Sequence, residues 1–63
     1  MKILSTLSTT TMLYEIELDG KKYIYKEYLE DNGKLIDNEL FGDDDKPIYD
    51  QGLIQYIEEQ IYL

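Results

Sequence analysis

Two dipeptides, Asp19-Gly20 and Asn32-Gly33, each lie between runs of alternating apolar and polar residues, and nothing else in this chain constrains its fold as strongly. Asp-Gly and Asn-Gly tolerate the positive φ angles of a two-residue β-hairpin loop, so each pair fixes which flanking residues face one another. The Asp19-Gly20 loop sets Leu18 opposite Lys21. Counting outward pairs Ile16 with Tyr23, Tyr14 with Tyr25 and Met12 with Glu27, a nearly apolar face. The opposite face pairs Glu17 with Lys22, Glu15 with Ile24 and Leu13 with Lys26, which places opposite charges across the ladder.

A two-residue loop at Asn32-Gly33 predicts Asp31 opposite Lys34, Leu29 opposite Ile36, Glu27 opposite Asn38 and Tyr25 opposite Leu40. Lys26 then meets Glu39, and Ile24 meets Phe41. Ile36 and Leu40 join the face defined by the first hairpin. A slip of one residue would turn every side chain over, so two independent turns agreeing on one face support both registers.

Upstream, residues 2–8 alternate as a strand would. Pairing Leu7 with Met12 and Ile3 with Ile16 puts both on the buried face, with Ser8, Thr9, Thr10 and Thr11 as the connection. Downstream, Gly42-Asp43-Asp44-Asp45-Lys46-Pro47 ends the sheet, because like charges repel and Pro47 lacks a ladder donor. Asp50 is a natural N-cap, with Tyr49 placed to staple against Ile54. Leu53, Ile54, Ile57 and Ile61 then recur at helical period. Glu58 and Glu59 sit near the negative end of the helix dipole, so this short helix requires docking to persist.

The prediction is one α+β domain over residues 1–63: a four-stranded antiparallel meander (residues 2–8, 12–18, 21–29 and 34–41) with a C-terminal helix (51–62) packed on one face. The covered face is expected to hold Ile3, Leu7, Met12, Tyr14, Ile16, Leu18, Tyr23, Tyr25, Leu29, Ile36 and Leu40. Tyr28, Tyr56 and Tyr62 are expected outside. Leu4, Leu13, Ile24, Tyr28 and Phe41 line the other face with nothing left in the chain to cover them. Contiguous apolar surface rimmed by charge usually marks an interaction site. Lysine stems from Lys22 and Lys26 lying over scattered side chains would be the plainer account.

The chain has neither Cys nor His, so disulfide support, the commonest general base and the commonest thiol nucleophile are all excluded. No enzymatic activity and no cofactor are expected. Glu27, beside Asn38 on the buried face, is read as a strand-end carboxylate at the sheet margin. Asp43, Asp44, Asp45 and Asp50 lack the alternating ligands and central glycine of an EF-hand loop, so no metal site is expected. Nor does the apolar start reach signal-peptide length, which leaves cytoplasmic residence as the expectation, in a host cell if the chain is phage-encoded.

A net charge of −8 argues against direct contact with nucleic acid or an anionic membrane. The charge is also uneven. Residues 1–26 carry four lysines against three acids, a net +1, while residues 27–63 carry two lysines against eleven acids, a net −9. Glu30, Asp31, Asp37, Asp43, Asp44, Asp45, Asp50, Glu58 and Glu59 could thus present an acidic surface to a basic protein groove. In composition, though in no motif, the chain resembles the small acidic DNA-mimic proteins that phages and mobile elements use against defence enzymes. That resemblance implies a noncatalytic inhibitor occupying the nucleic-acid-binding groove of a target protein. The alternative is a homodimeric structural or regulatory subunit that buries the apolar sheet face, its acidity serving solubility.

Overall fold

The computed structural model describes all residues but Thr9 and Thr10, and the side chains of all of these but Leu7 and Ser8. Four antiparallel strands, β1 (Lys2–Ser8), β2 (Thr11–Leu18), β3 (Lys21–Leu29) and β4 (Leu35–Gly42), form one sheet in meander order, followed by helix α1 (Gln51–Ile61). This is the α+β meander that the turns predict. Asp19 and Gly20 both adopt positive φ, 53° and 78°, as a primed two-residue turn demands. Every β2–β3 pair from Met12↔Glu27 to Leu18↔Lys21 lies where counting from that turn put it.

The second hairpin departs from its prediction at the tip. Gly33 N–H donates to the Glu30 carbonyl and Glu30 N–H donates to the Lys34 carbonyl, both at 2.8 Å, so the loop is the three residues Asp31, Asn32 and Gly33, with Gly33 at φ 84°. Glu30, not Asp31, faces Lys34. Leu29 consequently pairs with Leu35, not Ile36. Ile36 is then an extra residue on β4, and the ladder resumes at Tyr28↔Asp37. The bulge cancels the longer loop, which is why Glu27↔Asn38, Lys26↔Glu39, Tyr25↔Leu40 and Ile24↔Phe41 still stand as predicted. Ile36 itself is 62% exposed and contributes nothing to the core.

A similar irregularity alters β1. Ile3 pairs with Ile16 as expected, but Leu4 is skipped and Ser5 pairs with Glu15, so Leu7 stands opposite Leu13 and not Met12. Ile3 remains 44% exposed although it lies beside the fully buried Ile16. The expected burial of Leu7 falls outside the described side chains, and the Thr9-Thr10 part of the connection lies outside the described residues.

After β4 the chain does not simply leave the sheet. Asp45 N–H donates to the Gly42 carbonyl, and Gly42 N–H donates to the Lys46 carbonyl. This tight turn, with Asp45 at φ 61°, brings Pro47 back against Phe41 and lets Ile48 N–H donate to the Leu40 carbonyl at 2.8 Å. Proline is tolerated there because the pairing is at a sheet edge. Asp50 then caps α1, its Oδ1 accepting from Leu53 N–H at 3.1 Å. Tyr49 is 81% exposed, so the chain turns into the helix without the expected staple on Ile54.

Tyr14, Ile16, Tyr25, Leu40, Ile54 and Ile57 form the core, with Met12, Tyr23, Ile48, Leu53 and Ile61 packed around them. Burial of this apolar surface is the main force docking the helix, at roughly 25 cal/mol per Å² removed from water. Ile48 had no place in the sequence reading because its position depends on the returning turn.

Candidate functional site

Two clusters of ionisable residues occupy opposite faces of the sheet. On the covered face lies Glu27, which has no exposed surface at all. A buried carboxylate must be hydrogen-bonded to be tolerated, and here phenols supply the bonds. Tyr62 Oη, from the turn that ends α1, donates to Glu27 Oε1 and Oε2 at 2.9 and 2.8 Å. Tyr25 Oη donates to Oε2 at 3.3 Å and accepts from Asn38 Nδ2 at 3.2 Å. Burial raises the Tyr14 phenol above its usual range, and the nearby Glu27 charge raises it further. Tyr62 is pushed up to about 12, by burial of its hydroxyl first and then by the bond to Glu27. Tyr25 moves upward for the same leading reason.

Glu27 is therefore not the marginal strand-end group expected from sequence. Tyr62 is 61% exposed, as expected, and its hydroxyl nonetheless reaches the buried carboxylate. The carboxylate's oxygens are occupied and closed to solvent, so the arrangement ties helix to sheet and offers no opening to a substrate. Sequence held a clue in the alignment of Tyr14, Tyr25 and Glu27 on one face. The contribution of Tyr62 depends on how the helix crosses the sheet, which periodicity does not encode.

The uncovered face has the opposite character. Leu13, Ile24, Tyr28 and Phe41 are half-buried and Leu4 is exposed. Lys26 Nζ stands 5.0 Å from the centre of the Phe41 ring, so this lysine partly covers the aromatic. Tyr28 Oη donates to Glu39, and that bond is the leading cause raising the Tyr28 phenol. The apolar stripe is thus broken into smaller pieces than its sequence positions suggested.

One of those pieces forms a hollow of about 230 Å³, where Leu4 and Ile24 meet Glu15, Lys22, Asp43 and Asp45. A second hollow, lined by Ile24, Lys26, Phe41 and Asp45, adjoins it and shares two of its residues. The acidic turn after β4 therefore leans toward the uncovered face and brings Asp43 and Asp45 to the apolar residues. Among the side chains lining the first hollow, the carboxylates of Glu15, Asp43 and Asp45 outnumber the single ammonium of Lys22.

The other candidate acids do not gather there. Asp44 Oδ1 accepts from Lys46 N–H at 3.2 Å and stabilises the turn, while Asp50 serves as the helix cap. Asp37, exposed on β4, accepts from Asn38 N–H at 2.8 Å. Glu30 and Asp31 lie at the tip of the β3–β4 hairpin, at the far end of a nine-residue strand and on the order of 25 Å from the acidic turn. Glu58 and Glu59 belong to the helix on the other layer, where Glu59 accepts from Gln55 Nε2 at 3.2 Å. Glu15 was missing from the sequence-based set; its position opposite Ile24, within reach of a turn after β4, was the available signal.

Among the described residues, no three or more Asp or Glu are placed to hold a metal ion, and no helix is long and apolar enough to cross a membrane. No family model matches the chain, and no curated protein or solved structure matches it either.

Proposed function

We propose that this chain is a noncatalytic protein-binding module, an inhibitor whose uncovered sheet face and acidic turn occupy the nucleic-acid-binding groove of a basic target protein. The observation that carries this reading is the convergence of Asp43, Asp45 and Glu15 on the apolar floor of Leu4 and Ile24. An interface needs desolvated apolar contact for affinity, and charge complementarity for encounter rate and choice of partner. The hollow offers both within one patch. A Lys or Arg side chain of the target could lay its aliphatic stem on Ile24 and Leu4 and set its charge against the carboxylates. The −8 net charge extends the attraction beyond the contact itself.

The test uses the immobilised chain to capture its target from a lysate at low and high salt. The captured protein is then assayed for nucleic-acid binding with increasing amounts of the chain. The reading expects capture to weaken steeply with salt, competition with nucleic acid, and loss of both on Asp43→Asn with Asp45→Asn. Asparagine retains access to the left-handed conformation of Asp45, so the substitution removes charge without straining the turn. Capture that is indifferent to salt, or a target whose nucleic-acid binding is untouched, would refute it.

A further inference from the structure

The two edges of the sheet are not equivalent. The outer edge of β4 is obstructed at its Phe41 end by Pro47 and Ile48, and at its other end Ile36 bulges out of the ladder. Asp37 and Glu39 lie between. Among the described residues, the outer edge of β1 has no neighbouring strand. Its described side chains are all exposed, including Ile3 at 44% and Leu4 at 39%. An uncovered edge of this kind is a template for pairing with another strand.

Charge selects the occupant. In a chain of net −8, β1 contains no carboxylate and one lysine, Lys2. Two copies repel each other least where they meet at this strand. Beyond the bulge at Leu4, Ser5 to Ser8 pair regularly with Glu15 to Met12, so that stretch of backbone is straight enough to present its outer groups to a partner. We infer that β1 pairs antiparallel with β1 of a second copy, forming a two-fold dimer with one continuous eight-stranded sheet. The obstructed β4 edges end the sheet on both sides, so the assembly closes at two chains. This dimer uses the backbone edge of β1, whose Leu4 also lines the hollow around Ile24.

Sedimentation or light scattering across a dilution series tests the inference on the full chain. The expected result is a mass of twice 7.5 kDa that falls to 7.5 kDa on dilution. Added salt should strengthen the association, because it screens the repulsion between two acidic chains while the backbone pairing is uncharged. Ile3→Lys with Ser5→Lys should yield the monomer mass with an unchanged circular dichroism spectrum. If that variant fails to fold, amide hydrogen exchange on the wild-type chain decides: dilution should expose those alternate amides of Ser5 to Ser8 that point away from β2, while those of β3 stay protected. A single-chain mass at every concentration overturns the inference. So does a dimer whose β1 amides exchange as fast as those of the diluted chain, or one that persists in the folded double-lysine variant.

Discussion

Glu27 and Glu15 are carboxylates on neighbouring strands of one sheet, yet they lie on opposite faces and do opposite work. Glu27 is enclosed by phenols under the helix, and Glu15 rims an open hollow beside an apolar floor. Removing a charge from water costs several kcal/mol unless hydrogen bonds replace its hydration, so a buried carboxylate becomes a fixed structural joint. One left in water costs little and stays available to a partner. The chain's acidity is thus divided between a group committed to the fold and groups that remain in water.

The largest expected effect that separates the two faces comes from Glu27→Ala. It leaves the Tyr62 and Tyr25 hydroxyls without their acceptor and opens a cavity under the helix, a loss of about 2–4 kcal/mol in urea unfolding. For a domain of this size that is most of the available stability. Glu15→Ala should change stability by less than about 0.5 kcal/mol in the same assay. Comparable losses for the two variants would break the contrast.

An intermediate effect is expected with pH. Unfolded tyrosines ionise near 10, whereas Tyr62 is held up to about 12 and Tyr14 and Tyr25 are also raised. Above pH 10 the unfolded chain therefore releases protons that the folded chain retains. Stability is fully present below pH 10 and declines as pH rises toward and through 12. Thermal unfolding between pH 8 and 12, with tyrosinate absorbance followed in parallel, checks this. Tyr62→Phe should make the decline shallower. A midpoint that stays flat to pH 12 would show that the phenols around Glu27 ionise as freely as those in water.

The smallest effect belongs to the uncovered face. Lys26→Met removes the cation from above Phe41 while keeping an apolar stem, and should cost about 0.5–1 kcal/mol. A larger loss would mean that the uncovered face contributes more to the fold than its half-buried side chains indicate.

Much of the scaffold was legible because turn chemistry and period-two patterning gave the same answer, as along β2 and β3. The tip of the second hairpin was not. Asn-Gly suits both a two-residue primed loop and the last two positions of a three-residue loop closed by a left-handed glycine, so the dipeptide alone cannot choose. Ile36 resembled a core residue because counting from a two-residue loop sets it opposite Leu29 on the face of Leu40, and only the bulge sends it outward. The candidate site was half legible: Asp43, Asp45, Leu4 and Ile24 were all singled out, but as members of separate acidic and apolar sets. What joins them is the return of the chain at Gly42 to Ile48, which depends on hydrogen bonds between backbone groups that composition does not register.

The paired irregularities of the second hairpin also bear on how the chain can vary in length. The three-residue loop and the extra residue at Ile36 offset each other, so β3 and the distal part of β4 keep the same partners. A deletion at Ile36 would join Leu35 to Asp37 in an unbroken ladder and leave every neighbouring pair intact. The hairpin therefore carries a spare residue, at a position where a gap could arise without moving the hollow or the helix.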